Sequence, residues 1–270
     1  MKFIGIIPAR YASTRFPGKP LADLGGKPMI QRVYEQASKV LDTVLVATDD
    51  ERIYDCVRSF GGQVYMTSVA HACGTDRICE AYQLYCADPA FHLSPLTSHA
   101  DTVVVNIQGD EPFIQPSQIR SLMDCFANEQ TEIATLVHPF MAENTWDDLS
   151  NPNYVKVVVA KPCETDEIGR AMYFSRSVVP YMRGVEQTEW LQHGRYYRHI
   201  GMYAYRADVL MRITQLAPSP LEKMESLEQL RWLEHGLMIR VAECHTVSIG
   251  IDTPEDLDKA MAYLQQQEAL

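Results

Sequence analysis

Apolar residues in the first half of the chain come in two rhythms. Phe3, Ile4, Ile6 and Ile7 form a short continuous run that reads as a buried strand, and it stops at Pro8, which has no N–H to offer a ladder. Met29, Ile30, Val33, Ala37, Val40 and Leu41 then recur at helical spacing, behind a Gly25-Gly26 turn and Pro28. TVLVATDD and QVYMTS read as strands on either side of a helix over residues 51–60, which closes at Gly61-Gly62. Ile78, Ala81, Tyr82 and Tyr85 mark another amphipathic helix, and TVVVNI at 102–107 a further buried strand. Strand, helix, strand, helix predicts right-handed crossovers, and with them an α/β fold whose sheet is mostly parallel and carries helices on both faces.

After a helix expected over 116–127 the rhythm changes. EIATLV, YVKVVVA, AMYFS and HIGMYAY are strand-like runs with little helix between them, so this part of the sheet is expected to be mixed or antiparallel. Alternation along 198–206 puts His199, Gly201, Tyr203 and Tyr205 on one face. SPLEKMESLEQLRWLEHG reads as one helix with Leu221, Met224, Leu227, Leu230 and Leu233 toward the core, ending at Gly236. Residues 247–257 read as a strand and a capped helix start, with Pro254 in the first turn and Glu255 and Asp256 complementing the dipole. The loop at 88–100 is expected to be a surface insertion. Nothing marks a linker, so the chain is expected to be a single domain of three portions, 1–130, 131–250 and 251–270.

Charge sharpens this picture. The formal net charge is -11, which disfavours nucleic-acid binding through clustered cations. Yet Lys2, Arg10, Arg15 and Lys19 all precede the first acid, Asp23. That local reversal of sign, interleaved with Ser13, Thr14 and Gly18, suits several phosphate oxygens. Neither GxxxxGK[ST] nor GxGxxG is present. No apolar run approaches a membrane span of about 20 residues, and the N-terminus reads as a strand and not a leader, so a cytoplasmic protein is expected. Seven cysteines without CxxC spacing read as reduced thiols.

Ligands in such sheets collect at the carboxyl ends of the strands, where the basic loop leaves the first strand. Gln108-Gly109-Asp110-Glu111-Pro112 leaves the 102–107 strand on the same edge, and a carboxylate there suits a hard divalent cation. His71-Ala72-Cys73-Gly74-Thr75-Asp76-Arg77, Phe174-Ser175-Arg176, the His199–Tyr205 strand, Glu228-Gln229 and Ile251-Asp252-Thr253-Pro254-Glu255-Asp256-Leu257 complete a set of separated motifs.

Together with IPARYASTRFPGKPL, these segments resemble the sugar-acid cytidylyltransferases from the first strand to the final helix. Cys73 stands where that family usually has serine. The resemblance implies a nucleotide-diphospho-sugar-transferase-like, Rossmann-like sheet, with a second portion for the sugar and the dimer contact. It implies that Pro8, Ala9, Arg10, Ser13, Arg15, Lys19, Cys73, Gly74 and Asp110 bind CTP, and that Arg77, Gln108, Arg176, His199, Tyr203, Glu228 and Gln229 bind an octulosonic sugar acid. Mg2+ falls to Asp110 and Asp252, and catalysis to these two with Arg10, Arg15 and Lys19. The implied reaction is CMP transfer from CTP to the acid with release of pyrophosphate, a step toward lipopolysaccharide, in a homodimer. An 8-amino or sialic acid as acceptor, or a catalytically silent nucleotide binder, remains open at this point.

Overall fold

The computed structural model describes residues 1–12, 15–71, 73–89, 98–141, 143–161, 168–246 and 250–268. In chain order the regular elements are β1 (Lys2–Ala9), α1 (Met29–Ala37), β2 (Val44–Thr48), α2 (Glu51–Ser59), β3 (Gln63–Met66), α3 (Gly74–Ala87), β4 (Thr102–Asn106), α4 (Pro116–Asp124), β5 (Ile133–Pro139) and α5 (Trp146–Ser150). They continue as β6 (Lys156–Ala160), β7 (Ile168–Ser175), α6 (Trp190–His193), β8 (Tyr197–Arg206), α7 (Ala207–Ile213), α8 (Pro220–Glu225), α9 (Gln229–Glu234), β9 (Ile239–Glu243) and α10 (Pro254–Glu268). They fall into two compact units: Met1–Ile119 with Arg206–Thr214 and Ser248–Leu270, and Arg120–Tyr205 with Gln215–Val247. The C-terminal residues thus join the N-terminal ones.

In the first unit the strands run β3-β2-β1-β4, every pair parallel. Continuous apolar runs fit strands covered on both faces: Ile4, Ile6, Ile7 and Val103 to Val105 are fully buried. The predicted face of α1 is also buried, through Met29, Ile30, Val33 and Ala37. A satellite cluster of Leu24, Met29, Ile251 and Ala260, flanked by Phe16, Phe113, Leu257 and Met261, anchors α10. Beside it the Ile251 N–H donates to the Asp110 carbonyl at 2.9 Å. That bond takes the place of a ladder: residues 250–252 are not a strand, contrary to expectation, and 247–249 lie outside the described residues.

In the second unit the order is β8-β5-β9-β7-β6, with β5 and β9 parallel and the other pairs antiparallel. Strand β9 is an addition to the predicted set. The single helix expected before it is two, because Ser226 adopts φ 53°, ψ 49° and breaks the ladder between α8 and α9. Leu227, Leu230 and Trp232 stay buried, whereas Met224 is 80% exposed and not in the core. Of the 88–100 loop, residues 90–97 lie outside the described residues; His99 Nδ1 meets the Tyr82 hydroxyl at 2.8 Å.

A left-handed backbone costs a non-glycine residue about 1–2 kcal/mol. Ser226→Gly is therefore expected to raise the urea midpoint of unfolding by the equivalent of about 0.5–1 kcal/mol, and Ser226→Val to lower it, with circular dichroism as the readout.

Candidate functional site

Strand β1 ends at Pro8-Ala9 and releases the basic loop. Gly18, at φ 72°, donates its N–H to the Tyr11 carbonyl at 2.8 Å, and the Arg52 guanidinium stacks 3.3 Å above the Tyr11 ring. This closure hands Lys19 to a short helical turn. Its Nζ lies 2.7 Å from Asp110 Oδ2 and 3.2 Å from Asp252 Oδ1, while Arg15 Nη1 lies 3.2 Å from Asp252 Oδ2. Asp110 arrives from β4 through a turn in which a Cβ on Gly109 would meet the Pro8 carbonyl oxygen at 2.9 Å. Asp252 is aimed by the Ile251–Asp110 backbone bond and by Asp256 Oδ2, which accepts the N–H groups of Asp252 and Thr253.

The Lys19 side chain is only 13% exposed, but the Asp110 and Asp252 side chains keep 34% and 47% of their surface. Both carboxylates can therefore meet a ligand. Among the described residues no group of three or more His, Cys, Asp or Glu could hold a metal ion. Two carboxylate oxygens gathered on one cationic nitrogen nevertheless fit Mg2+, which takes one or two protein carboxylates and fills its shell with water and substrate phosphates.

The other expected nucleotide contacts, and two of the expected sugar contacts, Gln108 and Arg77, lie in the same unit. Arg10 Nη2 donates to the His71 carbonyl at 2.6 Å and reaches that of Cys73 at 3.5 Å, so it ties the 71–74 segment to the basic loop. Cys73 is the N-cap residue of α3 and makes no side-chain capping bond; Gly74 is the first helical residue. Ser13 lies outside the described residues. The Gln108 carbonyl accepts the Glu111 N–H and shapes the Asp110 turn. Arg77 is the exception. Its side chain, expected to meet a sugar acid, is fully buried and bonds Asp49 Oδ2 and Thr67 Oγ1, each at 2.6 Å.

The remaining expected residues belong to the second unit. His199 Nε2 lies 3.0 Å from Thr135 Oγ1, and its ring packs against Phe174 and Tyr203 at centroid distances of 5.2 and 5.3 Å. Desolvation in this packing pulls the His199 pKa down to about 3. Tyr203 also packs on Trp232 at 5.1 Å and stacks on Tyr205 at 5.8 Å. Gln229 Nε2 and Trp232 Nε1 are buried without a hydrogen-bond partner among the described residues. Glu228 flanks the start of α9, its Oε1 4.0 Å from Arg231 Nη2. Arg176 donates to the carbonyls of Glu225, Pro152 and Ser226 at 2.6, 3.1 and 3.4 Å, leaving two of a guanidinium's five N–H groups for a ligand.

A family model described as cytidylyltransferase matches residues 4–241. The chain belongs to the cytidylyltransferase family. A 3-deoxy-manno-octulosonate cytidylyltransferase of Parabacteroides distasonis is 58% identical to it over 265 residues, 98% of each chain. One of the same name from Phocaeicola vulgatus is 56% identical over 268 residues, 99% of each. A solved structure of CMP:2-keto-3-deoxy-manno-octonic acid synthetase complexed with CTP matches with a TM-score of 0.83 at 39% identity, over 99% of this chain and 100% of that one. This cytidylyltransferase is therefore a nucleotidyltransferase with the α/β fold of those enzymes.

Sequence reasoning missed Thr135, Trp232 and the Asp49–Arg77 pair. Thr135 was within reach, since it shares a strand face with Ile133 and Val137, and Trp232 follows Gln229 by one helical turn. Asp49 gave no signal, because its pairing with Arg77 depends on tertiary packing.

The His199 shift has a stability consequence. Its folded pKa lies below the unfolded value near 6.5, so the unfolded state binds the proton first. The stabilisation from neutral His199 is complete above pH 6.5 and falls as pH drops toward 3, by at most about 1.4 kcal/mol per pH unit. Urea midpoints at pH 7 and pH 5 are expected to differ less in His199→Gln than in the unsubstituted protein.

Proposed function

We propose that this cytidylyltransferase transfers CMP from CTP to 3-deoxy-manno-octulosonate, releasing pyrophosphate, as a supply step for lipopolysaccharide. Names shared by relatives of 58% and 56% identity support the acceptor. The convergence of Asp110, Asp252 and Lys19, distant in sequence, carries the chemistry. A binder alone has no need of paired carboxylates at the end of a phosphate loop.

In this reading Arg15 and Lys19 grip the triphosphate, and Arg10 holds the 71–74 segment against it. Cations that grip the charge on the leaving pyrophosphate better than the ground state raise turnover, and not merely affinity. Asp110 and Asp252 would hold Mg2+, whose chemistry when bound is to polarise phosphoryl oxygens and neutralise the leaving group. The sugar's anomeric hydroxyl attacks the α-phosphorus in line, so no covalent enzyme intermediate forms. Gln229 and Trp232 bring hydrogen-bonding groups unpaired among the described residues, and Tyr203 a hydroxyl, that suit a polyhydroxylated acid. Neutral His199 serves as an orienting partner for a hydroxyl, and Arg176 faces the sugar carboxylate with its remaining N–H groups. A homodimer in the cytoplasm belongs to the same proposal on the strength of the family resemblance.

Pyrophosphate release, run with CTP and each of 3-deoxy-manno-octulosonate, its 8-amino analogue and sialic acid, tests the acceptor. Turnover is expected with the first; turnover with another acid alone would move the substrate and keep the mechanism. Asp110→Asn is expected to lower kcat by about a hundredfold or more at saturating Mg2+, and near-normal turnover would sink the metal assignment.

A further inference from the structure

Lys19 occupies a position that the proposed reaction does not explain by itself. A lysine serving only the triphosphate needs no close carboxylate, yet its Nζ is within 3.2 Å of one oxygen on each of Asp110 and Asp252. The other Asp252 oxygen is taken by Arg15 at 3.2 Å. Two cations thus balance two carboxylates, and the cluster is neutral before any ligand arrives.

From this geometry we infer that Lys19 is a built-in counter-ion that occupies the divalent-cation position until the nucleotide arrives. The inference rests on the reading of Asp110 and Asp252 as the metal-holding pair. A free divalent cation entering this cluster would leave two surplus positive charges beside a lysine with little access to water. A triphosphate reverses that balance. Its oxygens draw Lys19 and Arg15 off the carboxylates, and the two aspartates become available to a cation in the same step. Metal and nucleotide therefore bind with strong positive coupling, and the metal alone binds weakly. Lys19 also holds the like-charged carboxylates together meanwhile, so the pair is assembled in advance and does not repel itself apart.

The role assigned to Lys19 is positional as well as catalytic, and its test must read metal binding and not turnover. Mn2+ binding without nucleotide, followed by the loss of the free-ion electron paramagnetic resonance signal, supplies that reading. Lys19→Met is expected to bind Mn2+ about tenfold or more tightly than the unsubstituted protein. Lys19→Arg, which keeps the charge, is expected to stay at the unsubstituted level, and Lys19→Gln replaces the Met variant where circular dichroism shows that the latter is unfolded. The double variant Lys19→Met, Asp110→Asn separates the two ideas. Gain in the single variant and loss in the double supports both. An unchanged or weaker affinity in Lys19→Met, with a further drop in the double variant, overturns the counter-ion role and leaves the metal pair standing. Equal affinity of single and double variants overturns the metal pair itself, and the inference with it.

Discussion

The Lys19 ammonium between Asp110 and Asp252 is the interaction that ties together three distant parts of the first unit. Its three members come from the start of the chain, the turn after β4 and the approach to α10, so no local rule brings them together. Parallel pairing of β1 with β4 places the first two at one sheet edge. The third is delivered by the Leu24, Met29, Ile251 and Ala260 cluster and by the bond from Ile251 to the Asp110 carbonyl. Apolar burial thereby does electrostatic positioning: the cluster that anchors α10 also sets where Asp252 stands.

The second unit solves a different problem. Its residues expected to meet the sugar sit on a strand face and on a short helix, and the helix begins where it does because Ser226 turns left-handed. Arg176 caps that turn through backbone carbonyls, and Glu225 accepts from Ser175 Oγ and the Arg176 N–H. Arg231 bonds Glu222 at 2.5 and 2.8 Å across the same break. Charged side chains here fix backbone, while Gln229 Nε2 and Trp232 Nε1 are buried without a hydrogen-bond partner among the described residues. Unpaired buried polar groups are destabilising, each by about 1–3 kcal/mol.

Much of this was legible in the chain. The apolar rhythms located β1 to β4 and β5 to β8, but not β9, because strands buried on both faces and helices buried on one leave different periods. The family resemblance implied a shared part in catalysis for Asp110, Asp252 and Lys19, and the fold brings their charged groups together. Periodicity failed where tertiary contacts overrule local preference. At 219–236 an unbroken helical pattern runs through Ser226, whose left-handed backbone divides it and whose carbonyl accepts from Arg176. Arg77 was expected to be a sugar-acid contact on the family resemblance of its motif, and only packing discloses Asp49 beside it. The segment at 250–252 is extended enough in composition to suggest a strand, but its N–H goes to the Asp110 turn.

The central claim is that this protein joins the cytidine α-phosphorus to the anomeric oxygen of 3-deoxy-manno-octulosonate. Phosphorus NMR of one reaction mixture containing CTP, the acid and Mg2+ measures that bond directly. The account predicts a new sugar–CMP phosphodiester resonance growing in step with pyrophosphate, one for one. Orthophosphate with CDP, or pyrophosphate with free CMP from the first time point, would contradict it.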